Sequence, residues 1–112
     1  MEKHVRLSYL LDCYGALLTE RQRSMLSQSV EEDCSLAEIA EREGISRQGV
    51  RDCIKRAQEQ LEEYETKLNV LGTRLTLLEG LKELKEGVDR NTEKETLKVQ
   101  IQRLMEISEN GI

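Results

Sequence analysis

A chain of 112 residues, 38% hydrophobic and 35% charged, can hold one modest core or a small domain with a helical appendage, and is too short for two full domains. It contains no Pro, Phe or Trp, which with the high charge points to an all-α, well-solvated fold rather than a sandwich or barrel. A net charge of −5 argues against indiscriminate coating of nucleic acid.

No apolar run approaches the roughly 18 residues of a membrane span, and the start MEKHVRLSYLL lacks the hydrophobic stretch of a signal peptide, so a cytoplasmic location is expected. His4 is the only histidine and leaves nothing from which to build a triad or a His-based metal site. Cys13, Cys34 and Cys53 are odd in number and about twenty residues apart, so they offer neither a disulfide framework nor a Cys-x-x-Cys site. They read as small buried hydrophobes. No metal, cofactor or enzymatic chemistry is expected.

In chain order, VRLSYLLDCYG forms a short helix ending at Gly15, with Val5, Tyr9, Leu10, Leu11, Cys13 and Tyr14 on its apolar side. Capping-box signals of the kind S/T-x-x-E/Q recur at Thr19 with Gln22, Ser35 with Glu38, and Thr92 with Glu95. The first opens a helix through Val30 that buries Met25, Leu26 and Val30, followed by an EEDC loop. The second opens a short helix that buries Leu36, Ile39 and Ala40 and stops at Gly44. Ser46 then caps a new helix, giving a helix-turn-helix.

On a wheel of about 100° per residue, Val50, Cys53, Ile54, Ala57 and Leu61 share one side of this last helix, while Arg47, Gln48, Arg51 and Lys55 share another. Residues 47–56 hold Arg47, Arg51, Lys55 and Arg56 against Asp52 alone. Beyond them Gln58, Glu59 and Glu62 take over the outer side, so only the first two or so turns suit phosphate or base contacts.

The second half carries most of the acid: residues 58–112 hold twelve Asp or Glu against eight Lys or Arg. Leu61, Tyr64, Leu68, Leu71, Leu75 and Leu78 are spaced 3, 4, 3, 4, 3, the seam of a coiled coil or antiparallel bundle. Gly72 and Gly80 weaken a single continuous rod and allow a bend or hairpin near either, KEGVDRN reads as a loop, and a final helix from about Thr92 offers Leu97, Ile101, Leu104 and Met105 on one side. The domains expected are therefore a head over residues 1–62 and an acidic, leucine-rich extension over 63–112 whose helices pair in a homodimer.

Residues 18–61 resemble region 4 of bacterial sigma factors, a helix-turn-helix without a wing. With YGALLTERQR ahead and IKRAQEQLEEYETKL after it, the stretch from residue 5 to about 71 resembles the YlxM family of small helix-turn-helix proteins. This resemblance implies a cytoplasmic bacterial protein whose gene neighbours those of the signal recognition particle GTPases, with an accessory or regulatory role in that pathway. It implies contact positions at Ser46, Arg47, Gln48, Arg51 and Lys55, which match the family's SRQ turn and following basic positions. Gly49, where alanine is usual, and Arg51, where an aromatic is frequent, depart from the pattern. The ligand stays open between duplex DNA, signal recognition particle RNA and protein. In the protein case the chain is a helix-pairing adaptor for a signal recognition particle component, such as its GTPases.

Overall fold

Side-chain caps mark out the first half of the chain in the computed structural model, which describes residues 1–110. The described residues form helices joined by short turns, with no strand: α1 Lys3–Tyr14, a 3-10 turn Gly15–Leu17, α2 Glu20–Val30, α3 Leu36–Glu43, α4 Arg47–Leu68, α5 Val70–Asp89 and α6 Lys94–Asn110. The all-α helix-turn-helix expectation holds.

At the start of α2, Gln22 N–H donates to Thr19 Oγ1 at 3.2 Å and Thr19 N–H donates to Gln22 Oε1 at 3.1 Å. Ser35 and Glu38 make the same reciprocal pair at α3, at 3.1 and 3.2 Å. Each box satisfies two backbone donors that the first helical turn leaves without partners. Gly44 ends α3 in the left-handed conformation, φ 67° and ψ 33°, and its N–H and that of Ile45 both donate to Ala40 O. Ser46 Oγ then accepts from Gly49 N–H at 3.0 Å and opens α4.

The chain divides into two compact units, Met1–Lys67 and Leu68–Ile112. α4, Arg47–Leu68, runs to the division between them. In the first unit Leu10, Tyr14, Met25, Leu26, Ile39, Val50 and Leu61 are fully buried. The inward stripe of α1 is Leu7, Leu10, Leu11 and Tyr14, the i, i+3, i+4, i+7 set. Val5 and Tyr9, expected on that stripe, lie off it and are 43% and 44% exposed.

α1 is tied to the later turns of α4. Arg6 donates from Nε and Nη2 to the two carboxylate oxygens of Glu62, both at 2.8 Å, and Tyr14 O–H donates to Glu65 Oε1. The Tyr14 and Tyr64 rings lie 5.9 Å apart, centroid to centroid. α2 is tied to α3 by the buried Gln28, whose Nε2 donates to Glu43 Oε1 at 3.0 Å and whose Oε1 accepts from Arg42 Nη1 at 3.4 Å. The end of α3, and with it the turn into α4, is thereby held by α2.

The second unit is an antiparallel hairpin of α5 and α6. α5 runs straight through Gly72 and Gly80 and on to Asp89, so most of KEGVDRN is helical rather than loop. The break comes at Asn69, three residues before Gly72, left-handed at φ 50° between α4 and α5. The end of α5 is a Schellman motif: Asn91 (φ 58°) N–H donates to Val88 O at 3.1 Å and Thr92 N–H to Gly87 O at 2.8 Å. Thr92 thus closes α5, and α6 starts two residues later, at Lys94, instead of being capped by Thr92.

Gly80 is a docking point, not a bend. A Cβ built there would meet Leu104 Cδ2 at 2.2 Å, and one built at Gly87 would meet Leu97 Cδ2 at 3.0 Å. Leu97 and Leu104, seven residues apart, are therefore the inward positions of α6. Ile101 and Met105, expected beside them, are 44% and 50% exposed.

The leucine stripe is not one seam. Leu61 is buried inside the first unit and Tyr64 packs beside Tyr14 there, so these two positions serve the head's own core. After the break at Asn69, Leu71 is buried, Leu75 is half-buried and Leu78 is exposed. A one-residue left-handed break changes the rotational phase of everything after it, which a fixed 3-4 spacing cannot register.

Candidate nucleic-acid interface

The site is assembled around the first turns of α4. Ser46 caps the helix and places Arg47 in its first turn, with Arg51 and Lys55 following at i+4 and i+8. Arg47, Gln48, Arg51 and Lys55 are all exposed, while Val50, Ile54 and Ala57 on the far side are buried in the first unit. The amphipathic core thus fixes which side of α4 faces outward, and that side is basic.

Among the described residues, none of Arg47, Arg51, Lys55 and Arg56 joins an ion pair. Gln48 Nε2 donates to Asp52 Oδ1 at 2.9 Å, so the single acid of this stretch is held by a neutral amide and neutralises none of the cations directly.

Arg56 stands apart from the others. By the helical repeat it lies about 180° from Arg47 and about 100° from Lys55. It lines a cleft with Thr19, Arg21 and Gln22 of the α2 N-terminus and with Ile45, Gly49, Asp52 and Cys53. The charge count over residues 47–56 places Arg56 with Arg47, Arg51 and Lys55, and the sequence gives no sign that Arg21 lies near it. Thr19 and Gln22 were legible as a cap, but nothing in the order of residues says that this cap lies beside α4.

Cys53 forms part of the cleft wall. Burial pushes its thiol up from the usual range, against the nearby positive charges of Arg21 and Arg56. Cys13, Cys34 and Cys53 are each half-buried rather than fully buried, and form no disulfide. Cys34 Sγ accepts from Arg42 Nη1 at 3.3 Å. Among the described residues no group of three or more His, Cys, Asp or Glu side chains is placed to hold a metal ion, and no helix is long and apolar enough to cross a membrane.

Residues 1–102 match a family model described as "UPF0122: Putative helix-turn-helix protein, YlxM / p13 like". The chain belongs to the UPF0122 family. The UPF0122 protein of Halalkalibacterium halodurans is 44% identical over 104 residues, covering 93% of this chain and 95% of that protein. The UPF0122 protein of Clostridium kluyveri is 47% identical over 89 residues, 80% of each chain. That of Bacillus thuringiensis is 52% identical over 71 residues, 63% of this chain and 64% of its own. The UPF0122 family match takes in the capped α3, the Gly44 turn and the whole of α4, so the elements that present the basic face are family elements.

Proposed function

We propose that this chain is a non-enzymatic, cytoplasmic regulatory protein that binds nucleic acid through the first turns of α4 and acts in the signal recognition particle pathway. The observation that carries the binding is a capped helix whose outward side presents Arg47, Arg51 and Lys55 with no carboxylate paired to them. Arginine donors at the head of such a helix suit the O6 and N7 of guanine in a major groove, and Lys55 suits a phosphate. This favours B-form duplex, since A-form RNA closes its major groove to a helix and would be met through phosphates or loops.

The charge count sets the scale. Even if all three cations of a protomer met phosphates the salt slope would be only about −2.7, against the 6–10 phosphate contacts of strong binders. A monomer would therefore bind weakly, and a dimer presenting two such helices would roughly double the term. Support for pairing comes from the second unit, where Leu78, Leu81 and Val88 of α5 and Val99, Ile101 and Met105 of α6 are each 44–69% exposed. The same exposed residues support the second reading, an adaptor whose helical hairpin binds a protein such as a signal recognition particle GTPase. Family membership supports the pathway through the resemblance described above.

The test is a salt-titrated binding assay against signal recognition particle RNA, duplex from the protein's own gene neighbourhood and unrelated duplex. Selective binding that Arg47→Ala/Arg51→Ala abolishes is the expected result. Binding to none of the three, together with retention of a protein partner by the double variant, refutes nucleic-acid binding in favour of the adaptor.

A further inference from the structure

Arg21 and Arg56 are used neither by the fold nor by the outward face of α4. They come from different helices, line one cleft of about 490 Å³, are both exposed, and join no ion pair among the described residues. One carboxylate, that of Asp52, lies in the cleft wall; it accepts from Gln48 and keeps its negative charge. The two guanidinium groups thus outnumber the single carboxylate of the lining, and the cleft is net positive.

Its position gives those cations a partner. A helix with its side chains is about 10–12 Å across and a B-form major groove is about 12 Å wide, so a helix seated in the groove fills it. Its outward face then meets base edges, and its flanks meet the sugar-phosphate walls. Arg56 lies on a flank of α4, between the basic face and the buried face, on the side where α2 brings Arg21.

We propose that Arg21 and Arg56 form a clasp for a backbone phosphate of the nucleic acid that lies along α4, extending the interface from the helix-turn-helix to the start of α2. This rests on the nucleic-acid reading above and deepens it. Guanidinium groups suit the task because each offers a planar fork of donors to two phosphate oxygens. Two forks approaching from different helices fix the register of the strand without reading its sequence. Cys53 lies in the wall of the same cleft and reports on its occupancy.

The experiment uses the full chain with duplex DNA and, separately, signal recognition particle RNA, and measures log K against log salt. Arg21→Ala and Arg56→Ala are each expected to flatten the slope by about 0.9 on duplex, or about 0.7 where the contacted strand is single. The loss should be equal for cognate and unrelated sequences, and Arg21→Lys should keep the slope. Which of the two ligands shows the loss identifies the source of the phosphate. Saturating nucleic acid should also slow alkylation of Cys53 in the unmodified chain, read by peptide mass spectrometry, a measurement that needs no variant to fold. If Arg21→Ala/Arg56→Ala retains the full slope, or Cys53 reacts equally fast with and without ligand, the clasp is wrong while binding through Arg47 and Arg51 stands. Salt-independent or absent binding by the unmodified chain overturns both readings.

Discussion

Replacing Gly44 by alanine isolates one term of the helix-turn-helix. Gly44 sits at φ 67° and ψ 33°, and a Cβ built on it meets nothing within 4 Å, so no side-chain clash contributes. What remains is backbone: a non-glycine residue in the left-handed region costs about 1–2 kcal/mol. Alanine also narrows the unfolded ensemble, which offsets about 0.4–1 kcal/mol of that. The net expectation is a loss of about 1 kcal/mol, or about 4–8 °C in Tm for a domain of this size. Gly44→Asn should lose less, because asparagine tolerates this conformation, and Gly44→Leu should lose about as much as alanine because the space is open. Circular-dichroism melts of the four chains measure this. A melt unchanged by alanine, or a much larger loss with leucine than with alanine, refutes the backbone account of the turn. The two N–H groups that converge on Ala40 O make the same turn the hinge that aims α4, so the alanine chain should also bind nucleic acid more weakly at temperatures near its melt.

The Arg6–Glu62 pair gives an acid-side dependence. Its hydrogen bond to Arg6 holds the Glu62 carboxyl below the usual glutamate range, against a smaller opposing effect of burial. The folded value therefore lies below the unfolded one, so the contribution is present above about pH 4.3 and fades as pH falls through the folded value. With side chains 38% and 46% exposed the contribution is about 0.5–1 kcal/mol after screening. Denaturant melts of Arg6→Gln between pH 6 and pH 3 should show a flatter acid limb than the parent, and identical limbs would remove the pair from the stability of the head. Gly80→Ala pushes a methyl onto Leu104 and should destabilise the α5–α6 hairpin by about 1–3 kcal/mol, seen as faster amide exchange confined to the second unit. Uniform exchange across both units would contradict their separation. At the interface, Arg51→Ala should relax base preference while Lys55→Ala weakens all sequences alike, as comparison of cognate and scrambled duplexes would show.

Local chemistry made the head legible in advance. A capping box needs a hydroxyl and an amide or carboxylate three residues apart, and a left-handed stop needs glycine. Thr19, Ser35, Gly44 and Ser46 therefore announce the starts and stops of α2, α3 and α4 without any knowledge of what packs on them. The basic side of α4 follows from the same helical period that buries Val50, Ile54 and Ala57 opposite it.

In the second half, periodicity indicates helices that pair but not where they break or meet. Asn69 interrupts the 3-4 leucine spacing with a single left-handed residue, and Gly80, which intrinsic propensity marks as weak, is where Leu104 needs backbone without a Cβ. Thr92 carries a capping-box signal yet closes the preceding helix, because the Asn91 turn commits its N–H to Gly87 O first. The cleft between the α2 N-terminus and α4 is of the same kind. Arg21 and Arg56 are 35 positions apart and lie along one cleft because α2 and most of α4 belong to one unit whose core buries Met25, Leu26, Val50 and Ile54, a long-range consequence that no short window of residues encodes.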